Sequence, residues 1–350
     1  MSHNTLMQAH VQYPWEQANN PRMLAEDTLV EVRWGARPDD LTTWYGYVHH
    51  ASMDTRMPEQ STQLKVAYTL IGTGHVLADA KTHVWREITD SGMATKIAKK
   101  YGLSSVVHKT KKIHKYLYQN AVSDYAWLQE RAGKTGRKMW VENGCLYFVD
   151  IAAWAAARST KAPEFEIHKD YSRPTDNFRF TADMGTDMPQ QGRQMNRQMY
   201  GVDHKTGKFM ERHNRDSASA RTTVLRQPVA DAIDDLDFQL GGHTSAGQEW
   251  ADASADLIGS TRLAPGQPVR FKGRALPKHL RGEWMVVAAD HHLLAPSVTN
   301  VGHAKFNTHV QLARNARDTY NFSDQTVLNI DDACVAGASW KARSIREVVL

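Results

Sequence analysis

Over residues 27 to 90 the hydrophobic positions recur every second residue. Thr28, Val30, Val32 and Trp34 alternate with Leu29, Glu31 and Arg33, the period of a half-buried strand. "ARPDD" then supplies turn residues, and "WYGYV" resumes the strand pattern up to His49-His50. A polar loop ("MDTRMPEQS") leads to a strand with Leu64, Val66, Tyr68 and Leu70 on one face. At Asp90-Ser91 the period changes. Ala94, Ile97, Ala98 and Tyr101 fall at helical spacing, Gly102 ends the helix, and Leu103 is placed to fold back onto it in the Schellman manner. "SVVHKTKKIHKYLY" reads as one strand or two. Ser123-Asp124 opens a second helix carrying Tyr125, Leu128 and Ala132, with Gly133 or Gly136 as its C-terminal cap. A hairpin follows: Lys138-Met139-Trp140-Val141, the turn Asn143-Gly144, then Cys145 to Val149. This makes an α/β block over about 90 to 155.

Residues 156 to 225 are polar. "FEIHKDYSRPTDNFRFTADM" suggests short strands, and the following stretch suggests loop with a hairpin around Lys205–Lys208. Residues 229 to 261 read as helical, from Ala230, Ile233 and Leu236 and then Trp250, Ala251, Ala255 and Ile258, with Gly259 as the stop. The last sheet region repeats the first. "GQPVRFKGRALPKHLRGEWMVVAADHHLLAP" has the order of "TLVEVRWGARPDDLTTWYGYVHHAS": strand, Pro-containing loop, strand, His-His, polar loop, further strand. Val30 to His49 is 19 positions and Val269 to His291 is 22. Two related β units flanking an α/β block are expected, and two copies are too few for a solenoid, so paired barrels or sandwiches are the natural outcome.

Composition adds limits rather than chemistry. A chain of 350 residues holds one large domain or two to three ordinary ones and buries a core without staples. The formal charge of +5 is mild. Its one dense basic run, His108 to Lys115, fits a solvated strand or loop better than a nucleic-acid patch, because nothing extends it into a stripe. Cys145 and Cys334 give no disulfide framework, and Cys145 is expected as a small core residue. "MSHNTLMQAH" lacks the plan of a signal peptide, and "FVDIAAWAAA" is too short to span a bilayer. A soluble chain made in a reducing cytoplasm, with no membrane insertion, is the expectation.

Four motifs invite a catalytic or ligand reading. Gly133-Lys134-Thr135 ends like a phosphate-binding loop, but the first glycine of that motif would fall on Leu128, and the helix precedes the triplet instead of following it. His49-His50 and His291-His292, with His303 and His309, tempt a metal reading. Adjacent strand residues point to opposite faces, however, and no HExxH or Cys/His spacing supports it. "DAIDDLDFQLGG" is acidic enough for calcium, but a loop starting at Asp235 has Leu240 and Ala246 where Gly and Glu are needed. No GxSxG elbow occurs. No catalytic, cofactor-binding or metal residue is nominated, and no enzyme activity is expected. "DSGMATKIAKKYGLS", 91 to 103 at its centre, is similar to the first helix of a LysM module. That keeps a cell-wall-binding or wall-degrading tail tip protein as the alternative function.

The arrangement as a whole resembles the tail-hub family of tailed phages and related contractile injection machines, including late control protein D and tail-associated minor tail proteins. "VEVRWGARPDDLTTWYGYVHH", "WREITDSGMATKIAKKYGL", "SDYAWLQERAGKTGRKMWVENGCLYFVD" and "LIGSTRLAPGQPVRFKG…LRGEWMVVAADHHL…HVQLARN" carry the resemblance, over roughly 25 to 320. It implies an α+β, mostly β fold: two tail-tube-like β-barrels joined by an α/β insertion. The expected division is 1-90 for the N-terminal part of the first barrel, 91-155 for the connecting domain and 156-228 for strands and loops that complete barrels and contacts. A helix and second barrel at 229-320 and an extension at 321-350 complete it. The implied function is that of a structural virion protein at the tail tip, assembled in the host cytoplasm. It would be a homotrimeric hub that adapts the sixfold tail tube to threefold tip, spike or fibre components. Implied partners are the tail tube protein, a distal tail or baseplate ring protein, a spike or fibre and the tape measure protein, with genomic DNA passing through the lumen. Met195, Met199 and Tyr200, set among Arg and Gln, read either as an adaptable interface or as a solvated loop.

Overall fold

The computed structural model describes residues 6–14, 24–35, 41–54, 63–166, 179–183, 196–202, 206–214, 222–225, 251–273, 276–294, 305–314 and 346–349. The alternation at the start of the chain yields β1 (Leu6–Pro14), β2 (Leu29–Trp34), β3 (Thr42–Asp54) and β4 (Gln63–Gly72). Val30 and Val32 of β2, Trp44 and Val48 of β3, and Tyr68 and Leu70 of β4 bury one face of the resulting sheet. The strand order is β1-β4-β3-β2, and the β2 edge is filled by the last strand of the chain, β19 (Arg346–Val349), running parallel to β2. β1 lies before residue 27, where the strand pattern read from the sequence begins.

A block of mixed α and β follows: β5 (Ala80–Thr89), α1 (Asp90–Lys100), β6 (Ser104–Val107), β7 (Ile113–Ser123), α2 (Asp124–Lys134), β8 (Lys138–Glu142), β9 (Cys145–Val149) and α3 (Ile151–Ala156). β5 pairs with β7, and β9 lies between β6 and β8. Thr89 caps α1 by accepting from the Gly92 N–H, and Ser123 caps α2 by accepting from the Ala126 N–H. Both helices end in the same Schellman turn. Leu103 N–H reaches Ala98 C=O across Gly102, and Arg137 N–H reaches Ala132 C=O across Gly136, with φ of 67° at both glycines. Gly133 lies inside α2, so Gly136 is the cap. The hairpin turns on Asn143 and Gly144, both at positive φ, as a two-residue turn of this type requires.

The same order, strand–helix–strand, occurs twice in this block. Asp90 and Asp124 stand 34 positions apart (124 minus 90), and the same offset separates Thr89 from Ser123, Ala98 from Ala132 and Gly102 from Gly136. Met93, Ile97, Leu128, Leu146 and Phe148 share one core between the helices and strands.

Beyond it lie β10 (Glu164–Glu166), β11 (Arg179–Asp183), β12 (Asn196–Val202), β13 (Phe209–Asn214), β14 (Thr222–Leu225), β15 (Ala251–Ile258), β16 (Pro268–Lys272), β17 (Gly282–Leu294) and β18 (Lys305–Arg314). β12, β13 and β14 form a small sheet of order β13-β12-β14, whose hairpin spans the Lys205–Lys208 region. The others form a second large sheet, β10-β16-β17-β18-β15-β11. The helix expected at its start is corrected over 251–258. Ala253, Ala255 and Leu257 are all buried, an alternation of two that makes β15 a strand, and the helical spacing of Ala251, Ala255 and Ile258 was coincidental. Residues 229 to 250, with Ala230, Ile233 and Leu236, lie outside the described residues.

The two large sheets are built alike, residue by residue. Val30 pairs with Gly46 and Val48 with Leu70 in the first; Val269 pairs with Trp284 and Val286 with Leu312 in the second. In each, a bulge interrupts the long middle strand directly after that valine, at Val48/His50 and at Val286/Ala288. β1 lies antiparallel on β4 as β15 does on β18. The parallel edge strands also match: Val348 pairs with Val32, and Phe165 pairs with Phe271, at the same position of the two sheets. Val30, Val32, Val48 and Leu70 and their counterparts Val269, Phe271, Val286 and Leu312 are all buried. This register corrects one detail of the sequence repeat. His49 matches Val287, so the His-His pairs are not equivalent; the second pair begins four residues further along its strand.

One exchange keeps the two cores complementary. Trp44 of the first sheet stands where the second has Gly282, and Gly46 stands where the second has Trp284. A Cβ on Gly46 would lie 2.1 Å from the Trp44 ring, so the indole fills the space that the glycine leaves.

Candidate assembly surfaces

The α/β block grips both large sheets, and it does so at matching positions. The side chain of Asn143, at the tip of the β8–β9 hairpin, accepts from the Tyr45 N–H at 3.0 Å and donates to Thr43 C=O at 3.1 Å. β4 ends beside Gly46, so Asn143 supplies the backbone partners that β3 lacks beyond that point. Tyr45 corresponds to Glu283 in the second sheet. Glu283 is fully buried, and there it receives the Ser159 hydroxyl at 2.5 Å and pairs with Arg270. Trp154 of α3 adds a second clamp, its indole N–H donating to Gly266 C=O at 2.8 Å while the ring packs edge-on against Trp140. The sheets also touch directly: Trp34, at the end of β2, packs against His291 and Phe306.

Inside the block two buried aspartates tie the helices head to tail. Asp90, at the start of α1, receives Arg131 Nε from the last turn of α2 at 2.5 Å and lies 2.8 Å from His114 Nε2. Asp124, at the start of α2, receives Lys100 at 3.0 Å and the Tyr101 hydroxyl at 2.7 Å from the end of α1, and Gln119 at 2.9 Å. Burial pushes both carboxyls up, but the hydrogen bonds and positive partners outweigh it, and both titrate below the usual carboxylate range. Burial and the Asp124 charge push the Tyr101 phenol up to about 12. Each aspartate also faces the positive end of its own helix dipole. These groups consume one another's hydrogen-bonding capacity, which is the signature of a structural cluster.

Lys134 is half-exposed and pairs with Glu130 one turn back, and Thr135 bonds the Arg131 and Ala132 carbonyls. The triplet therefore closes a helix, where a phosphate-binding loop would open one. His49 and His50 are exposed. His291 lies between the Thr308 hydroxyl and Leu263 C=O, 2.9 Å from each, so a neutral ring donates to the carbonyl with Nε2 and accepts from the hydroxyl with Nδ1. Burial pushes its pKa down, which keeps the ring neutral. His309 pairs with Asp256. Among the described residues no three His, Cys, Asp or Glu side chains are grouped to hold a metal; His303 and Cys334, like the Asp235 loop, lie outside the described residues.

Further differences concern surface and core. The basic run is divided: Lys109, Lys111 and Lys115 are exposed, while His114 is buried on Asp90 and His108 accepts from the Asp150 N–H. Cys145 is only half-buried, because Leu146 and Phe148 take the inward positions of β9. Met199 is fully buried, so it packs the small sheet and does not serve an adaptable surface; the Tyr200 ring packs at a tilt against Phe209, and Met195 lies outside the described residues. The LysM-like helix α1 leads straight into β6 rather than into a second helix. Two exposed apolar surfaces stand out. Tyr116 and Tyr118 face outward on the β5–β7 ribbon with Val84, and Val202 and Phe209 pair near the tip of the β12–β13 hairpin.

The fold defined by these sheets is that of phage tail proteins. It aligns with a tail protein from Neisseria meningitidis at a TM-score of 0.59 and 11% identity, over 93% of this chain and 91% of that one. A 43 kDa tail protein of prophage MuSo2 from Shewanella oneidensis aligns at a TM-score of 0.52 and 10% identity, over 90% and 91%. A chain of the Francisella PdpA–VgrG complex aligns at a TM-score of 0.51 and 6% identity, over 91% of this chain and 53% of that one. In sequence, residues 17–281 match the Alg8 N-terminal domain, Alg8_N, and the chain belongs to that family. No curated protein matches it in sequence.

Proposed function

We propose that this protein is a structural hub of a phage-tail-type machine, a homotrimer in which each chain contributes two tail-tube-like barrels. Three chains then present six like modules to a sixfold tail tube and threefold symmetry to a spike or fibre. Closed cyclic assembly is the rule for such rings. The observation that carries the reading is the pair of sheets in one chain that share five strands in the same order and register, with a bulge after the same valine, β11 being an addition at the far edge of the second. The tail-protein fold agrees with it. The interlocked block would hold the two modules at a fixed spacing, and the exposed tyrosines of the β5–β7 ribbon would serve contacts with the tail tube, a distal tail or baseplate ring, or the tape measure protein. DNA would pass through the lumen. Multi-angle light scattering tests this: the expected mass is three times the 39.5 kDa chain, with sixfold pseudo-symmetry in class averages of the particles. A ring lacking that pseudo-symmetry, or a dimer, overturns it.

A further inference from the structure

The edge strands of the two large sheets follow one rule, and the rule points beyond the single chain. β10 comes after the first sheet in sequence and lies parallel on β16, the first strand of the second sheet's meander. β19 comes after the second sheet and lies parallel, at the same register, on β2, the first strand of the other meander. Each large sheet is therefore completed by a strand from the segment that follows the other one. Within a lone chain β19 has only its own β2 to reach. In a ring in which like modules follow one another, the module after the second sheet belongs to the next copy.

From this we infer that, in the assembled ring, β19 leaves its own chain and completes the first sheet of a neighbouring copy. The inference rests on the trimeric reading above. The occupant of the β2 edge is then the same four-residue strand from a second molecule. Residues 315–345 separate β18 from β19, and a stretch of that length spans up to about 100 Å when extended, enough to reach a neighbour. The pairing is short and parallel, made through backbone groups that either copy supplies equally. Exchange of an identical element between copies loses no contact and ties the ring together. β10 has no such freedom. It follows α3 closely, and Ser159, a few residues earlier, is held on Glu283 of the second sheet.

Cysteines placed across the β19–β2 pair test this. Val349 and Arg33 are directly opposed, and the Arg33 side chain is half-exposed. In a background of Cys145→Ser and Cys334→Ser, one chain carries Arg33→Cys and a co-expressed chain of distinct mass carries Val349→Cys. Exchange predicts that mild oxidation links unlike chains into dimers on non-reducing gels, and that a chain carrying both cysteines gives linked trimers. If the two single variants never link while the double variant forms only an internal disulfide in a trimer of the expected mass, the exchange is wrong and the trimeric reading stands. If light scattering of the same samples gives monomer with an internal disulfide only, both are overturned.

Discussion

Arg131 is almost fully buried; its Nε meets the fully buried Asp90, and its Nη2 lies 3.0 Å from Nε2 of the buried His114. Replacing it with methionine keeps the stem and removes the charge, which leaves His114 as the one remaining side-chain partner described for the buried Asp90 carboxylate. Breaking such a pair costs about 3–5 kcal/mol, so the urea midpoint of Arg131→Met should fall steeply. The acid limb follows from the same cluster. Asp90 and Asp124 titrate lower in the folded chain than in the unfolded one. Their contribution is therefore complete above the unfolded carboxyl value, about 3.9, and is lost as pH falls through the folded values. Urea midpoints measured from pH 7 downward should hold to about pH 4 and drop below it, and they should drop less for Asp90→Asn, which has no charge to lose. Lys134→Ala makes the contrast. Its exposed pair with Glu130 is worth about 0.3–0.5 kcal/mol, so the midpoint should barely move, and ATP should produce no thermal shift in either protein.

At the level of elements, the glycines separate backbone cost from crowding. Gly102 has φ of 67° and no atom near its missing side chain, so Gly102→Ala pays only for the left-handed backbone, about 1 kcal/mol. Gly136→Ala, in the same turn of the other helix, should cost a similar amount. Gly46→Ala should cost more, about 1–3 kcal/mol, because the new Cβ meets the Trp44 ring and the Ile71 carbonyl at 2.6 Å. Unfolding of the three variants side by side checks the ranking. Such local devices are also what the sequence discloses best. The cap at Ser123, the turn at Asn143-Gly144 and the alternation of Val30 and Val32 depend on neighbours within a few positions and are legible; the cap at Thr89 lies one residue before the Asp90-Ser91 start that the pattern suggests. β15 carries Ala251, Ala255 and Ile258 at helical spacing and Ala253, Ala255 and Leu257 at strand spacing, and only burial decides between the two periods. The partners of Asn143, Trp154 and Ser159 lie 98, 112 and 124 residues away and leave no local mark. The 34-residue offset between the helices was available in the sequence, through Asp90/Asp124 and Gly102/Gly136, but it requires comparing the chain with itself.

For the whole molecule, the decisive quantity is how rigidly the two large sheets are held to each other. A ring made from pairs of like modules closes only if the angle within a chain matches the angle between chains, so freedom between the sheets works against closure. The block fixes that angle through Asn143 on one side and Trp154 and Ser159 on the other. Asn143→Gly retains the left-handed turn and removes the side-chain clamp; Trp154→Phe retains a ring against Trp140 and removes the bond to Gly266. Asn143→Gly leaves two backbone groups without their partner and Trp154→Phe leaves one, a loss of about 1–3 kcal/mol for each group, yet neither touches a strand pairing within a sheet. The combined variant should therefore keep its circular dichroism and both sheets. The Tyr45 amide should exchange with solvent faster, by about tenfold for each 1.4 kcal/mol lost. If the chain assembles as the trimer proposed above, the trimer fraction at a given concentration should fall, because each chain must now be ordered during closure. Faster exchange with an undiminished trimer would mean that the direct contact of Trp34 with His291 and Phe306 sets the angle instead, and the same pair of measurements on Trp34→Ala would then show the loss that the clamp variant did not.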